Sequence, residues 1–131
     1  VWAGDGGLDV VQEPRYYFPS TDESVWAYRW AQNFQGSRPE IAEEPAPWAQ
    51  EQMDLYTQLR GEGDPAKRAE LMTQILSIAQ ENFPTIGISL PADTFYVAKN
   101  NLRNVPETMF QAYLFPTPAP YDPVQWYFAA E

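Results

Sequence analysis

The sequence predicts a mixed α/β chain, α+β in detail: two consecutive helices, a short hairpin and long aromatic loops. Three observations predict it. Leu71, Met72, Ile75, Ile78 and Ala79 recur at helical spacing. Gly61-Glu62-Gly63 followed by Asp64-Pro65 punctuates two helical stretches. Two β-rich runs, Thr85 to Leu90 and Thr94 to Lys99, follow in close succession.

The elements are predicted in chain order as follows. Val1-Trp2-Ala3 reads as the end of a strand entering a Gly4-Asp5-Gly6-Gly7 turn, where glycine permits positive φ. Residues 10–46 are aromatic and irregular, with one short helix from Ser24 to Gln35 that sets Trp26 and Trp30 on one face. Asp22 or Ser24 is the candidate cap. Gly36 to Pro47 is a Pro/Glu-rich loop. From Trp48 to Arg60, Trp48, Met53, Tyr56 and Leu59 fall near one stripe, so the first long helix is placed there. The second starts with Asp64 as N-cap and Pro65 in the first turn, and runs to about Asn82, where Phe83-Pro84 ends it. The β-rich runs follow, joined by Pro91-Ala92-Asp93 as a hairpin. Asn100 to Pro106 is a turn segment. Residues 107–131 alternate aromatics with prolines and read as an extended arm. The organisation is thus 1–46 strand end and aromatic loops, 47–106 helix pair and hairpin, and 107–131 arm.

Composition narrows the function. The chain has 131 residues and a net charge of −10, from 18 acidic and 8 basic residues. Nucleic acid and anionic lipid both need a basic surface, so neither is an expected partner. No apolar run approaches the roughly 20 residues of a membrane helix, so direct insertion is not expected. There is no Cys and no His. Thiolate sites, Cys nucleophiles and Ser-His-Asp catalysis are therefore excluded within these residues. No cofactor is implied, and the chain reads as a non-enzyme. Aromatics stand out, with 5 Trp, 8 Tyr and 7 Phe, beside 13 Pro. The start lacks Met, and two helices with a few strands close no obvious core, so the chain is expected to be a piece of a longer protein.

The order of these features resembles the C-terminal part of bacterial extracellular solute-binding proteins of family 5, which includes the oligopeptide- and dipeptide-binding proteins of ABC importers. Trp2-Ala3-Gly4-Asp5-Gly6-Gly7 looks like the family's W-x-x-D segment. Asp64 to Met72 looks like its D-P-x-x-R-x-x-L-(M/Y) helix start. Ile75 to Pro84 (ILSIAQENFP) resembles the helix end with E-x-x-P, and Thr85 to Leu90 takes the place of the following strand. Val97 to Glu107 looks like a stretch of one branch of the family, and Trp26, Trp30 and the acidic loop before Trp48 fit the same branch. The resemblance covers nearly the whole chain through the order and spacing of weak motifs. It implies a fragment of a two-lobed, periplasmic-binding-protein-like fold. It also implies a peptide-like solute, permease subunits met through the full-length protein, and a periplasmic or extracellular location, cell-surface-anchored in a Gram-positive organism. This chain departs from the family in carrying Gly6-Gly7 where members often have a proline, which leaves the solute class open; other members bind sugars or nickel complexes.

The candidate site follows from the resemblance. Asp5 resembles the acid that receives the ligand's α-ammonium, since a cation leaving water needs a fixed counter-charge. Gly4 and Gly6 would let the ligand approach, and Trp2 would form an aromatic wall. The competing readings are an Asp capping a Gly-rich turn and a Trp packed in a core strand. Trp26, Tyr28 and Trp30, with Tyr16 and Tyr17 behind them, are either a stacking surface or ordinary packing. Asp5 with Asp9 lacks the EF-hand pattern of a calcium loop, so no metal is expected. Glu40, Glu43 and Glu44 read as a solvated acidic loop, and Phe115 to Tyr121 as part of the arm or a polyproline-like motif. A glycoside hydrolase would need two opposed carboxylates, which nothing here fixes. A carbohydrate-binding or protein-interaction module is the alternative function.

Overall fold

The computed structural model describes residues 9–12, 14–88, 93–109 and 117–129. The chain divides into two compact units, one of Val10–Gly87 and one of Val1–Asp9 with Ile88–Glu131. It is mixed α/β at a coarse level: helices dominate the first unit, and a two-stranded antiparallel sheet lies in the second.

The helical unit is built from α2 (Tyr28–Gln35), α3 (Pro47–Gly61) and α4 (Pro65–Asn82), preceded by the single turn α1 (Asp9–Gln12) and a 3₁₀ turn over Pro14–Tyr16. The local chemistry of α4 is as expected. Asp64 Oδ1 accepts the Ala66 N–H at 2.8 Å, and Pro65 occupies the first turn, where its missing N–H costs nothing. At the other end Phe83 adopts φ 48°, a left-handed cap usually left to glycine or asparagine, and its N–H bonds the Ala79 carbonyl. The helix α3 starts one residue earlier than its stripe predicts, because Pro47 suits a helix start.

The helix α2 is shorter than expected. Ser24 does not cap it. Its Oγ instead accepts the Thr21 N–H at 3.2 Å while its own N–H bonds Thr21 O at 2.9 Å, which closes a turn. Ala27 then takes φ 48°, so Trp26 precedes the helix and Tyr28 begins it.

The two long helices pack on each other and on the aromatic segment before them. Phe18, Met53, Leu59, Met72 and Ile75 form the buried cluster, flanked by Tyr17, Trp30, Phe34, Leu55 and Tyr56 among others. The Phe18 ring meets Phe34 edge-on at 6.2 Å and Tyr56 at 5.0 Å. Gln52 is fully buried among them, and its Nε2 donates to Ile75 O at 2.8 Å and to Tyr17 O at 3.4 Å. One amide on α3 therefore ties the aromatic segment to α4.

The predicted hairpin is not where the sheet lies. The described residues of its two runs, 85–88 and 93–99, carry no strand. The pairing is instead between β1 (Leu102–Arg103) and β2 (Tyr127–Phe128), with Leu102 opposite Phe128 and Arg103 opposite Tyr127. The physical reason is that strand propensity is realised only against a partner and a covered face. Ile86, Ile88, Phe95 and Val97 are left largely in solvent. Residues 100–106, expected as a plain turn, provide β1. Residues 117–129, expected as an extended arm, hold 3₁₀ turns at Ala119–Tyr121 and Pro123–Gln125 before β2. The Ala129 N–H bonds Asn101 O at 2.8 Å, and Asn104, at φ 63°, donates its side-chain amide to Gln125 O at 3.0 Å.

Candidate functional site

Trp2, Gly4, Asp5 and Gly6 lie outside the described residues, as does the Pro116 end of the aromatic-proline run. The remaining candidates lie in the helical unit. The turn at Ala27 swings Trp26 back over α2, where its indole meets Trp30 edge-on at 6.3 Å. Trp48, on the first turn of α3, completes the group: it stacks on Trp26 at 5.9 Å and 20° and meets Trp30 edge-on at 5.9 Å. All three indoles are partly buried. The Trp26 Nε1–H donates to Tyr16 O at 3.4 Å, which anchors the cluster to the 3₁₀ turn.

Beneath it, Arg15 is 1% exposed and pairs with Glu23. A buried guanidinium requires such a carboxylate. Its plane also lies 5.4 Å from the Tyr16 ring centre, within cation–π range. On the other side of α2, Arg29 pairs with Glu43 and its carbonyl accepts the Glu43 N–H at 3.2 Å, so this part of the acidic loop is fastened to the helix. Both Arg29 and Glu43 side chains are exposed, so the pair adds little stability. Gln32 is buried, and its Oε1 accepts the Ser37 hydroxyl at 2.7 Å, which fixes the start of that loop.

This arrangement uses the indole faces largely on one another. The structure therefore assigns Trp26 and Trp30 a packing contact, and adds Trp48, which sequence spacing did not connect with them. Trp48 is remote along the chain, and the only local hint was its place at a helix start beside Pro47. Tyr17 flanks the core cluster, and Tyr16 supports Trp26 through its carbonyl.

One titratable group departs from its ordinary behaviour. Burial raises the Tyr56 phenol above its usual 10.0, while the nearby Arg60 and Arg68 charges pull it down. Its hydroxyl points at the Val11 carbonyl at a long 3.5 Å. A phenol held neutral beside a hydrophobic core is suited to packing rather than proton transfer. Among the described residues no group of three or more Asp or Glu side chains is placed to hold a metal ion. Among them, too, no helix is long and apolar enough to cross a membrane. No family model and no curated protein matches this chain.

Proposed function

We propose that this chain is the C-terminal portion of an extracellular solute-binding protein of family 5, which captures a peptide-like solute for an ABC importer and catalyses no reaction. The observation that carries the reading is the order of segments along the sequence. A W-x-x-D segment at Trp2 to Asp5 is followed by the Trp26/Trp30 segment and an acidic loop. Then come the Asp64-Pro65-x-x-Arg68 helix start, the Glu81-x-x-Pro84 helix end and the Val97 to Glu107 stretch. The capped start of α4 at Asp64 is in keeping with the third of these.

On this reading Asp5 holds the solute's ammonium group, Trp2 walls the pocket, and Gly4 and Gly6 admit the solute's backbone. The rest of a two-lobed cleft comes from the full-length protein, which presents the solute to the permease from the periplasmic or extracellular side. Mass spectrometry of solutes that co-purify with the full-length protein identifies the class, and peptides are expected. Calorimetry then compares the wild type with Asp5→Asn. Loss of a buried charge partner weakens peptide binding by about 2–5 kcal/mol. Unchanged affinity removes Asp5 from the site, and co-purified sugars or metal complexes reject the peptide assignment.

A further inference from the structure

The second unit has a property the first lacks. Among its described residues none is buried. Every buried apolar residue belongs to the helical unit. Large apolar side chains of the second unit instead face solvent: Phe95 is 91% exposed, Val97 88%, Val124 91%, Tyr127 54% and Phe128 62%. Internal contacts bring the segments that carry them together. The Tyr96 hydroxyl donates to Pro106 O, Lys99 lies 5.9 Å from the Phe128 ring, and Asn104 bonds Gln125 O. These residues also flank a sheet of only two strands, so each strand has one edge without a partner strand.

We propose that this surface pairs with the same surface of a second copy of the chain. Two observations select that occupant. The first is area. The exposed parts of Phe95, Tyr96, Tyr127 and Phe128 amount to on the order of 500 Å². Val97 and Val124 bring the patch toward the roughly 800 Å² that each partner gives to a standard interface. The second is charge. Residues 88–129 hold three acids (Asp93, Glu107, Asp122) and two bases (Lys99, Arg103), a net −1, so −9 of the chain's −10 lies elsewhere. This is the stretch on which an otherwise strongly negative copy can approach its like. The pairing is isologous, the same patch on both chains. Exposed strand edges that meet across a two-fold axis would extend the sheet.

The pairing does not depend on the solute-binding reading. Sedimentation velocity on the 131-residue chain tests it at increasing protein concentration and at two salt concentrations. The mass is expected to rise from 15.0 kDa to twice that value and stop there. Higher salt is expected to strengthen the pairing, because screening relieves repulsion between two like-charged chains. Phe95→Ser with Val124→Ser removes apolar area at exposed positions without changing charge. It is expected to weaken the pairing by at least about tenfold, since each lost contact occurs on both copies. Far-UV circular dichroism confirms that the variant keeps its helices. A chain that stays monomeric overturns the proposal, as does pairing indifferent to the double variant or growth beyond two copies. Protection of the 95–97 and 124–128 amides only within a longer parent polypeptide also overturns it, by showing another occupant.

Discussion

Replacing Phe18 by Ala tests whether the helical unit is organised around an aromatic residue that lies outside its helices. Phe18 is 0% exposed and touches rings on two helices, Phe34 on α2 and Tyr56 on α3. It also joins Met53, Leu59, Met72 and Ile75 in one buried cluster. Removing a fully buried phenyl ring costs about 3–5 kcal/mol, from lost transfer energy and the cavity left behind. Total stability of a domain is only about 5–15 kcal/mol, so Phe18→Ala leaves the unit marginal. Phe18→Leu keeps an apolar side chain of similar size, and is expected to cost much less, under about 1.5 kcal/mol with repacking. Urea unfolding followed by far-UV circular dichroism is the assay, since α2, α3 and α4 all lie in this unit. A loss below about 1 kcal/mol for the alanine variant, at unchanged denaturant slope, would refute the packing argument. Equal losses for Ala and Leu would show that ring shape rather than volume matters at this position.

Two further outcomes are expected. Asp64→Ala removes the acceptor for the Ala66 N–H and lowers stability by about 1 kcal/mol, whereas Asp64→Asn, which keeps an acceptor, loses little; thermal melts that rank the two variants equally would count against the cap. Tyr56 makes stability fall at alkaline pH. Below 10.0 the phenol is neutral folded and unfolded, so pH acts little through it. Above 10.0 the unfolded chain releases the proton while the folded chain still holds it, and the unfolding free energy falls until the raised folded value is passed. Urea titrations at a series of alkaline pH values should show a smaller decline for Tyr56→Phe than for the wild type.

The parts of the fold that were legible in the sequence are those governed by neighbours a few residues apart. Asp64 and Pro65 announce the start of α4 because a cap and a first-turn proline act within one helical turn. Met72 and Ile75, with Met53 and Leu59 on α3, mark the packed faces because helical periodicity alone brings them to one side. The failures share a cause. Ser24 is a chemically sound cap that the chain spends on a local turn with Thr21, and the competition between two short-range hydrogen bonds was settled by the packing of Trp26. The alternation in residues 85–90 and 94–99 is real, but a strand needs a partner that no short-range signal supplies.

Composition by itself determined the charge, the lack of His and Cys and hence the chemistries that these residues do not support. It also placed the helices, because caps and periodic stripes are local. Only tertiary structure decided that Trp48 joins Trp26 and Trp30, that Arg15 is buried against Glu23, and that Leu102 pairs with Phe128. Each of these contacts joins residues separated by turns whose direction depends on single backbone angles, such as the positive φ of Ala27 and Asn104. Side-chain pattern sets which residues must be covered. The long-range closure of the chain decides by what.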